Sequence, residues 1–346
     1  MNASTVDAIY AIHEKATNDS PERDYIGWSA IGGGCERATY YDWRWVTQKH
    51  FEGRISRLFL TGHLEESRVI KELKMLPGVE VFDSPPEGGQ FAVAPMARGH
   101  LKGHLDCVVK NLPEYPGEAV LCDVKTANKS RFDRVVANGM AQESPQYVAQ
   151  AQGYMGLMGL KRAVYFYVCK DDDRLHCEWL EFNQVAFDQQ VAKAERIVAS
   201  DRPPMRGHAD PTDFQCRYCD HKPICWDEKV AARVHCRTCK HAEPADGGTW
   251  TCTLTNCPIP VSKQRIGCTQ HVFIPQLVPF AEPIDVDHLE VTYRHKQTGV
   301  VFTNVPDTIY GNGLYSSEEI KASPHGLGDE QADLIREAFD GRLTDA

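Results

Sequence analysis

Several stretches of this chain carry side chains whose types and spacing could do chemistry together. Glu66 lies in a helix-like segment, residues 59–74, and shares a face with Phe59, Gly62, Ile70 and Leu73. That face is apolar, so a carboxylate there is costly unless a charge partner or a metal compensates it. Glu65 lies instead with Arg68 and Glu72 and reads as solvated. In the strand-like LKGHLDCVV, Asp106 points away from Leu105, Cys107 and Val109, and Gly103 leaves room for another backbone or a ligand. In EAVLCDVKTA, Asp123 and Lys125 share one strand face with Leu121, while Cys122 and Val124 take the other. Two strand carboxylates plus a helix Glu make a hard-oxygen set suited to Mg²⁺ or Mn²⁺. Lys125 beside them can orient or deprotonate an attacking water and offset charge on a phosphorane-like state. Gln150 and Tyr154 are one helical turn apart, a placement that suits holding a nucleotide or phosphate, while Gln152 faces elsewhere. Alone, each reads as something plainer: a solvated strand face, a helix-edge Glu that snorkels out, a surface Gln, a half-buried Tyr. Their order along the chain is what makes them informative.

The thirteen cysteines are the second signal. With no basic segment and apolar run at the N-terminus, they point to a reducing compartment and metal binding instead of disulfides. Cys107, Cys122, Cys169 and Cys177 are scattered in strand-like runs and read as small buried hydrophobes. Cys216-x2-Cys219-x5-Cys225, with the distant Cys35 as a fourth thiolate, is a good iron–sulfur ligand set. Such a site would clip together the two ends of a domain by closing a very long loop. Cys236-x2-Cys239 is a knuckle of the kind zinc prefers. Cys252 and Cys268 are the first choice to complete it. Cys257, or His271 in a Cys-x2-His arrangement with Cys268, is the runner-up. This Gly- and Pro-rich segment has too few apolar residues to fold without such a site.

These groups need elements to hold them. Residues 31–75 read as two helices parted near Gly53, and 76–125 as a β-meander with Pro and Gly punctuation. Residues 130–160 and 184–200 read as helical, and 163–182 as a hairpin turning at Asp171–Arg174. A second hairpin is expected around Gln297–Gly299. The expected organisation is a domain over 1–230, a zinc-ribbon-like module over 231–280, and a tail with a hairpin and short helices over 281–346. Composition is that of an ordinary globular protein, and no apolar stretch is long enough to span a bilayer. A net charge of −10 disfavours tight unaided binding to nucleic acid, although Lys125, Lys129, Arg131 and Arg134 form a local basic run.

The order Gly62-x3-Glu66, Gly103-x2-Asp106, Asp123-x-Lys125, Gln150-x3-Tyr154 resembles the PD-(D/E)xK nuclease superfamily, specifically its RecB-like branch. With Cys35 before and Cys216, Cys219 and Cys225 after, the pattern over roughly two-thirds of the chain is similar to iron–sulfur RecB-like exonucleases, CRISPR-associated and phage-encoded members included. The resemblance implies an α/β restriction-endonuclease-like core, a mixed sheet flanked by helices, with an iron–sulfur subdomain. It implies a structural 4Fe–4S cluster near the DNA path and catalysis by Glu66, Asp106, Asp123, Lys125, Gln150 and Tyr154 with Mg²⁺ or Mn²⁺. The chain departs from the family in having Asp123 where Glu is commoner. It also has Glu66 where His is frequent, with His63 one turn earlier; both are metal-ligand candidates and Glu66 is preferred. The expected function is a metal-dependent DNA exonuclease acting on single strands or DNA ends in recombination, repair or phage replication. The resemblance, which includes phage-encoded members, implies work in the cytoplasm of a bacterial cell, with a recombination or replication protein as a partner and no membrane. Two alternatives compete: a non-catalytic iron–sulfur DNA-binding adaptor that keeps the fold, and a zinc-type interaction protein. The intact Asp106, Asp123 and Lys125 argue against the first; the second would make the 235–275 module the functional part.

Overall fold

A computed structural model describes residues 4–339 and 341–343. The chain divides into two compact units. The first runs up to Gly34 and resumes over Lys49–Glu195; the second takes Cys35–Gln48 and the chain from Arg196 onward.

The first unit is α/β. Its helices are α1 (Thr5–Asn18), α2 (Gly53–Lys74), α3 (Lys129–Asn138), α4 (Pro145–Met158) and α5 (Gln184–Ala199), in whose last turn the chain passes to the second unit. Its main sheet has five strands, β1 (Glu80–Phe82), β2 (Cys107–Leu112), β3 (Tyr115–Ala127), β4 (Arg162–Cys169) and β5 (Leu175–Glu181), in sequential order. Neighbours are antiparallel except β3 and β4, which are parallel and enclose the crossover through α3 and α4. Strand alternation decides the faces. Val120, Cys122 and Val124 of β3 pack with Cys107 and Val109 of β2 and Val164 and Val168 of β4 beneath Val69, Ile70 and Leu73 of α2. The expected hairpin is the β4–β5 pair, which joins Val168 to Leu175 across the turn. The buried apolar side chains of α2 are Val69, Ile70 and Leu73 in its C-terminal half; Phe59, on the same face, is 43% exposed.

Helix α4 is set by a close approach. An added Cβ at Gly153 would lie 2.1 Å from the ring of Trp28, a side chain that is itself fully buried and stacked on Phe187. Only a residue without a Cβ lets α4 sit this near the indole.

The second unit holds two small sheets. Strands β6 (Ala242–Ala245), β7 (Thr249–Cys252) and β8 (Cys257–Pro258) are antiparallel. Strands β9 (Ala281–Val286), β10 (Val291–His295), β11 (Val301–Asn304) and β12 (Leu314–Tyr315) form a second sheet, with the expected hairpin between β10 and β11. Two buried arginines organise this unit. The Arg237 guanidinium lies 3.7 Å from the centre of the Trp45 ring and donates to Trp43 O at 2.6 Å and Gln264 Oε1 at 2.9 Å. Arg44 donates to Arg237 O at 2.9 Å and lies over Trp250. Desolvated cation–π contacts of this kind are worth up to about 2 kcal/mol each. Helices α6 (Ser317–Ala322) and α7 (Glu330–Phe339) are joined by a buried ion pair, Arg336 to Glu319 at 2.9 Å. Among the described residues no helix is long and apolar enough to cross a membrane.

Gly153→Ala should force Trp28 or α4 to shift and cost about 1–3 kcal/mol, the range for overpacking a filled core. An unchanged urea midpoint for that variant would show that the helix–indole contact has slack.

Candidate functional site

Strand β3 brings the candidate residues together. Asp123 and Lys125 project from its face opposite the α2 packing layer, and the Lys125 ammonium meets Asp123 Oδ1 at 2.5 Å. Asp123 is 1% exposed. Its Oδ1 is buried and takes no well-formed hydrogen bond, so the ion pair with Lys125 is its principal compensation. Lys125 also lies over the rings of Tyr147 and Tyr165, at 4.9 and 5.8 Å.

Asp106 stands in a bend between the short strand His104–Leu105 and β2, not within a continuous strand. The bend turns its carboxylate onto β3, where Oδ2 accepts the Val124 amide at 3.0 Å. Burial pushes the Asp106 carboxyl up to about 8, and the negative charges of Asp123 and Glu66 add to this. Lys125 and the Val124 amide oppose the shift without cancelling it. For Lys125, burial works against the charge, but Asp123 and Asp106 outweigh it and raise the ammonium above its ordinary value. Two carboxylates therefore act on one ammonium, with Glu66 acting on Asp106, and the set is short of positive charge. Hard anionic oxygens with that deficit fit a divalent cation.

Glu66 reaches this cluster from α2, partly exposed, with His63 Nδ1 3.7 Å from its Oε2. His63 itself is 78% exposed. Glu65, expected to be solvated, is the less exposed of the two glutamates and pairs with Arg68 at 3.4 Å.

Gln150 and Tyr154 converge from α4 as the spacing predicts, Gln150 Nε2 donating to Tyr154 Oη at 3.2 Å. The Gln150 carbonyl oxygen is buried with no partner. Burial raises the Tyr154 hydroxyl to about 12, and it feels both Asp123 and Asp106. Gly103 is the counterpart of this ring: an added Cβ there would lie 2.8 Å from Tyr154 Oη and from Trp28. Gln152 turns away and bonds Glu181 O and the Asn183 amide.

All four cysteines of the first set lie in the second unit and line one cavity, together with Tyr41, His221 and Trp226 among others. Cys35 is the residue preceding the helix Glu36–Trp43, and Gly207 lies against its sulfur. Burial raises the Cys219 thiol, and the neighbouring Cys35 and Cys225 raise it further. Cys236, Cys239, Cys252, Cys257 and Cys268 line a second cavity. Burial and the adjacent Cys268 and Cys252 push Cys236 up to about 11, and burial carries Cys239 to about 12 against the amides of Val272 and His241. Burial is the larger cause of these shifts and the neighbouring thiols the smaller one, so each set is a group of thiols close to one another. Among the described residues no three His, Cys, Asp or Glu side chains are drawn into metal-ligand geometry, so these are convergences of donors and not formed coordination shells.

His271 does not line the second cavity. It is buried against His235 and Thr238, and burial lowers its pKa to about 3. His241 lines the cavity instead, with its Nε2 buried and unpartnered. The sequence carries a hint of this, since His241 is two residues past Cys239 at the end of the knuckle.

The basic run is largely neutralised. Lys129 pairs with Asp133 at 2.5 Å and Arg134 with Glu143 at 2.9 Å.

No curated protein sequence matches the chain. Among solved structures it is similar to SSO0001, at 15% identity over 64% of this chain and 96% of that one, with a TM-score of 0.41. It is similar to an alkaline exonuclease from Laribacter hongkongensis at 13% identity, covering 55% and 91%, with a TM-score of 0.37. A phage-related exonuclease from Haemophilus somnus 129PT gives 15% identity, 40% and 69% coverage and a TM-score of 0.30. The model of the PD-(D/E)XK nuclease superfamily matches residues 5–226, well over half of the chain. The chain belongs to that superfamily.

Proposed function

We propose that this protein is a divalent-metal-dependent deoxyribonuclease, an exonuclease that processes single strands or DNA ends in recombination, repair or phage replication. The observation that carries the reading is the buried Asp123 with Lys125 2.5 Å away and the half-buried Asp106 bent onto the same strand. Asp106, Asp123 and Glu66 would hold Mg²⁺ or Mn²⁺, with His63 as a further ligand beside Glu66. A bound cation would polarise the scissile phosphate and lower the pKa of the attacking water.

The chain's own groups do the rest. Lys125 meets the phosphate as an ammonium that offsets charge developing on its oxygens. Tyr154 keeps its proton and can donate to a phosphate oxygen. Gln150, its amide spent on Tyr154, offers a buried carbonyl oxygen to a nucleotide donor.

In this reading residues 1–230 form the working nuclease with its cluster, 231–280 a zinc-ribbon-like module and 281–346 a tail. Cys35, Cys216, Cys219 and Cys225 would ligate a structural 4Fe–4S cluster, supported by their sharing one cavity. Cys236, Cys239, Cys252 and Cys268 would ligate zinc, with Cys257 as the nearest alternate. A recombination or replication protein is the expected partner in the cytoplasm of a bacterium or phage-infected cell.

Cleavage of DNA should vanish with a chelator and return with Mn²⁺ or Mg²⁺. Lys125→Ala should cut turnover by roughly 10²-fold or more while leaving metal binding largely intact. Asp106→Ala should abolish both metal binding and cleavage. Digestion at the wild-type rate by Lys125→Ala would remove the Asp-x-Lys strand as the active site. DNA binding without cleavage in any divalent metal would favour the adaptor reading.

A second outcome concerns stability in chelator. The unfolded chain releases the Asp106 proton near 3.8, whereas the native state holds it up to about 8. The native state binds more protons in that window, so this residue's contribution to stability falls as pH rises. Asp106→Asn removes the titration. Its gain in Tm over the wild type should therefore grow from about pH 4 to about pH 8 and then level off; a pH-independent difference would refute the raised carboxyl.

Metal content gives a third. Anaerobically purified protein should be brown and contain iron, and Cys225→Ala should bleach it. About one zinc per chain should accompany the iron and be lost in Cys236→Ser. Colourless anaerobic protein with zinc at every cysteine site would overturn the iron assignment.

A further inference from the structure

Arg131 stands apart from the rest of the basic run. Lys129 and Arg134 are held by Asp133 and Glu143, and Arg174 is shared between Asp133 and Asp172. The N-terminus of α3 is also occupied: the Lys129 amide donates to Asp171 at 2.7 Å and the Arg131 amide to Asn128 at 2.9 Å. An anion arriving there finds no free amides at those two positions.

The Arg131 guanidinium is partly buried, and its Nη2 donates to Ser144 Oγ at 3.1 Å. Ser144 is fully buried and is the N-cap of α4, yet its side chain makes no capping bond to its own helix. A serine at that position ordinarily accepts an amide two or three residues on, a bond worth about 1 kcal/mol. Here its hydroxyl serves the arginine instead. Glu143 is near enough to feel the Arg131 charge, but Arg134 and Asn138 already hold its two oxygens.

The same corner adjoins the catalytic strand. Tyr167 is 1% exposed and faces Lys125 in register on β4. Burial raises its hydroxyl to about 12, and that hydroxyl feels Ser144, Arg131 and Lys125 together. Arg131 thus donates to a neutral, buried serine hydroxyl and neighbours Tyr167, the residue in register with Lys125. Planar, forked donors of this kind suit a phosphate diester.

We infer that Arg131 binds a backbone phosphate of the DNA strand adjacent to the scissile one, with Ser144 holding the guanidinium in place. The inference rests on the nuclease reading. It assigns the strand's path past Lys125 toward the start of α3, and it makes Ser144 a positioning residue.

Binding of a fluorescein-labelled single-stranded oligonucleotide, in the full-length Lys125→Ala protein with Mg²⁺, tests it by anisotropy between 50 and 200 mM salt, the range over which phosphate contacts dominate. Arg131→Ala should weaken binding about tenfold and reduce the slope of log K against log salt by about 0.7, the contribution of one single-strand phosphate contact. Arg131→Lys should restore the slope but only part of the affinity, because the fork is lost. Ser144→Ala should weaken binding with the slope unchanged, since the charge remains. In otherwise wild-type protein, Arg131→Ala should raise KM more than it lowers kcat. An unchanged slope in an Arg131→Ala protein whose urea midpoint matches its parent would overturn the inference and leave the nuclease reading standing. No binding by the parent protein would sink both.

Discussion

The half-buried Asp106 and the buried Asp123 share one corner with a single ammonium to balance them. The first unit is arranged around that imbalance. Asp123 can be buried because β3 is flanked on both sides by strands and because Lys125, two residues on, reaches its carboxylate. Asp106 is bent onto β3 and takes a backbone amide, yet burial and the neighbouring carboxylates still favour its protonated form. A site that resists its own ionisation is poised to accept a cation, and the free energy of binding one would go into relieving the repulsion. The same strand gives its other face to α2, so the apolar layer of Val120, Cys122 and Val124 fixes where the acids stand. Packing and chemistry alternate residue by residue along one strand.

Helix α4 serves that corner from the opposite side. Its approach to Trp28 is permitted by Gly153, and the adjacent turn then presents Gln150 and Tyr154 over Gly103. Its first residues contribute too: Tyr147 lies under the Lys125 ammonium, and Ser144 leaves its helix uncapped to bond Arg131. One helix therefore sets the Gln150–Tyr154 contact, the lysine environment and the arginine orientation, so a displacement by a single added methyl would be felt at all three.

The second unit solves a different problem. Its cysteine-lined segments are short of apolar residues, and the compensation is a pair of buried arginines caged by Trp43, Trp45 and Trp250. Arg237 directly follows Cys236 and bonds the carbonyl of Trp43, in the helix that Cys35 precedes. The two cysteine sets are thus joined through packed side chains within one unit, independently of any metal. Cation–π contacts and satisfied guanidinium donors replace part of the core that aliphatic side chains would otherwise supply.

By itself the sequence determined whatever depends on periodicity within one element. The alternation of β3 separates Asp123 and Lys125 from Cys122 and Val124, helical spacing brings Gln150 to Tyr154, the hairpins close at Asp171–Arg174 and Gln297–Gly299, and the Cys-x2-Cys spacings keep Cys216 with Cys219 and Cys236 with Cys239. Each follows from the fixed rise and rotation of a strand or helix, or from a short loop. What needed tertiary structure was every relation between elements. The parallel pairing of β3 with β4, the bend that delivers Asp106, the pairing of Arg134 with Glu143, and the exchange of His241 for His271 at the second cavity all rest on partners outside the element or on the fold of a loop. Charge neutralisation and burial are properties of a three-dimensional neighbourhood, which residue spacing within one segment does not specify.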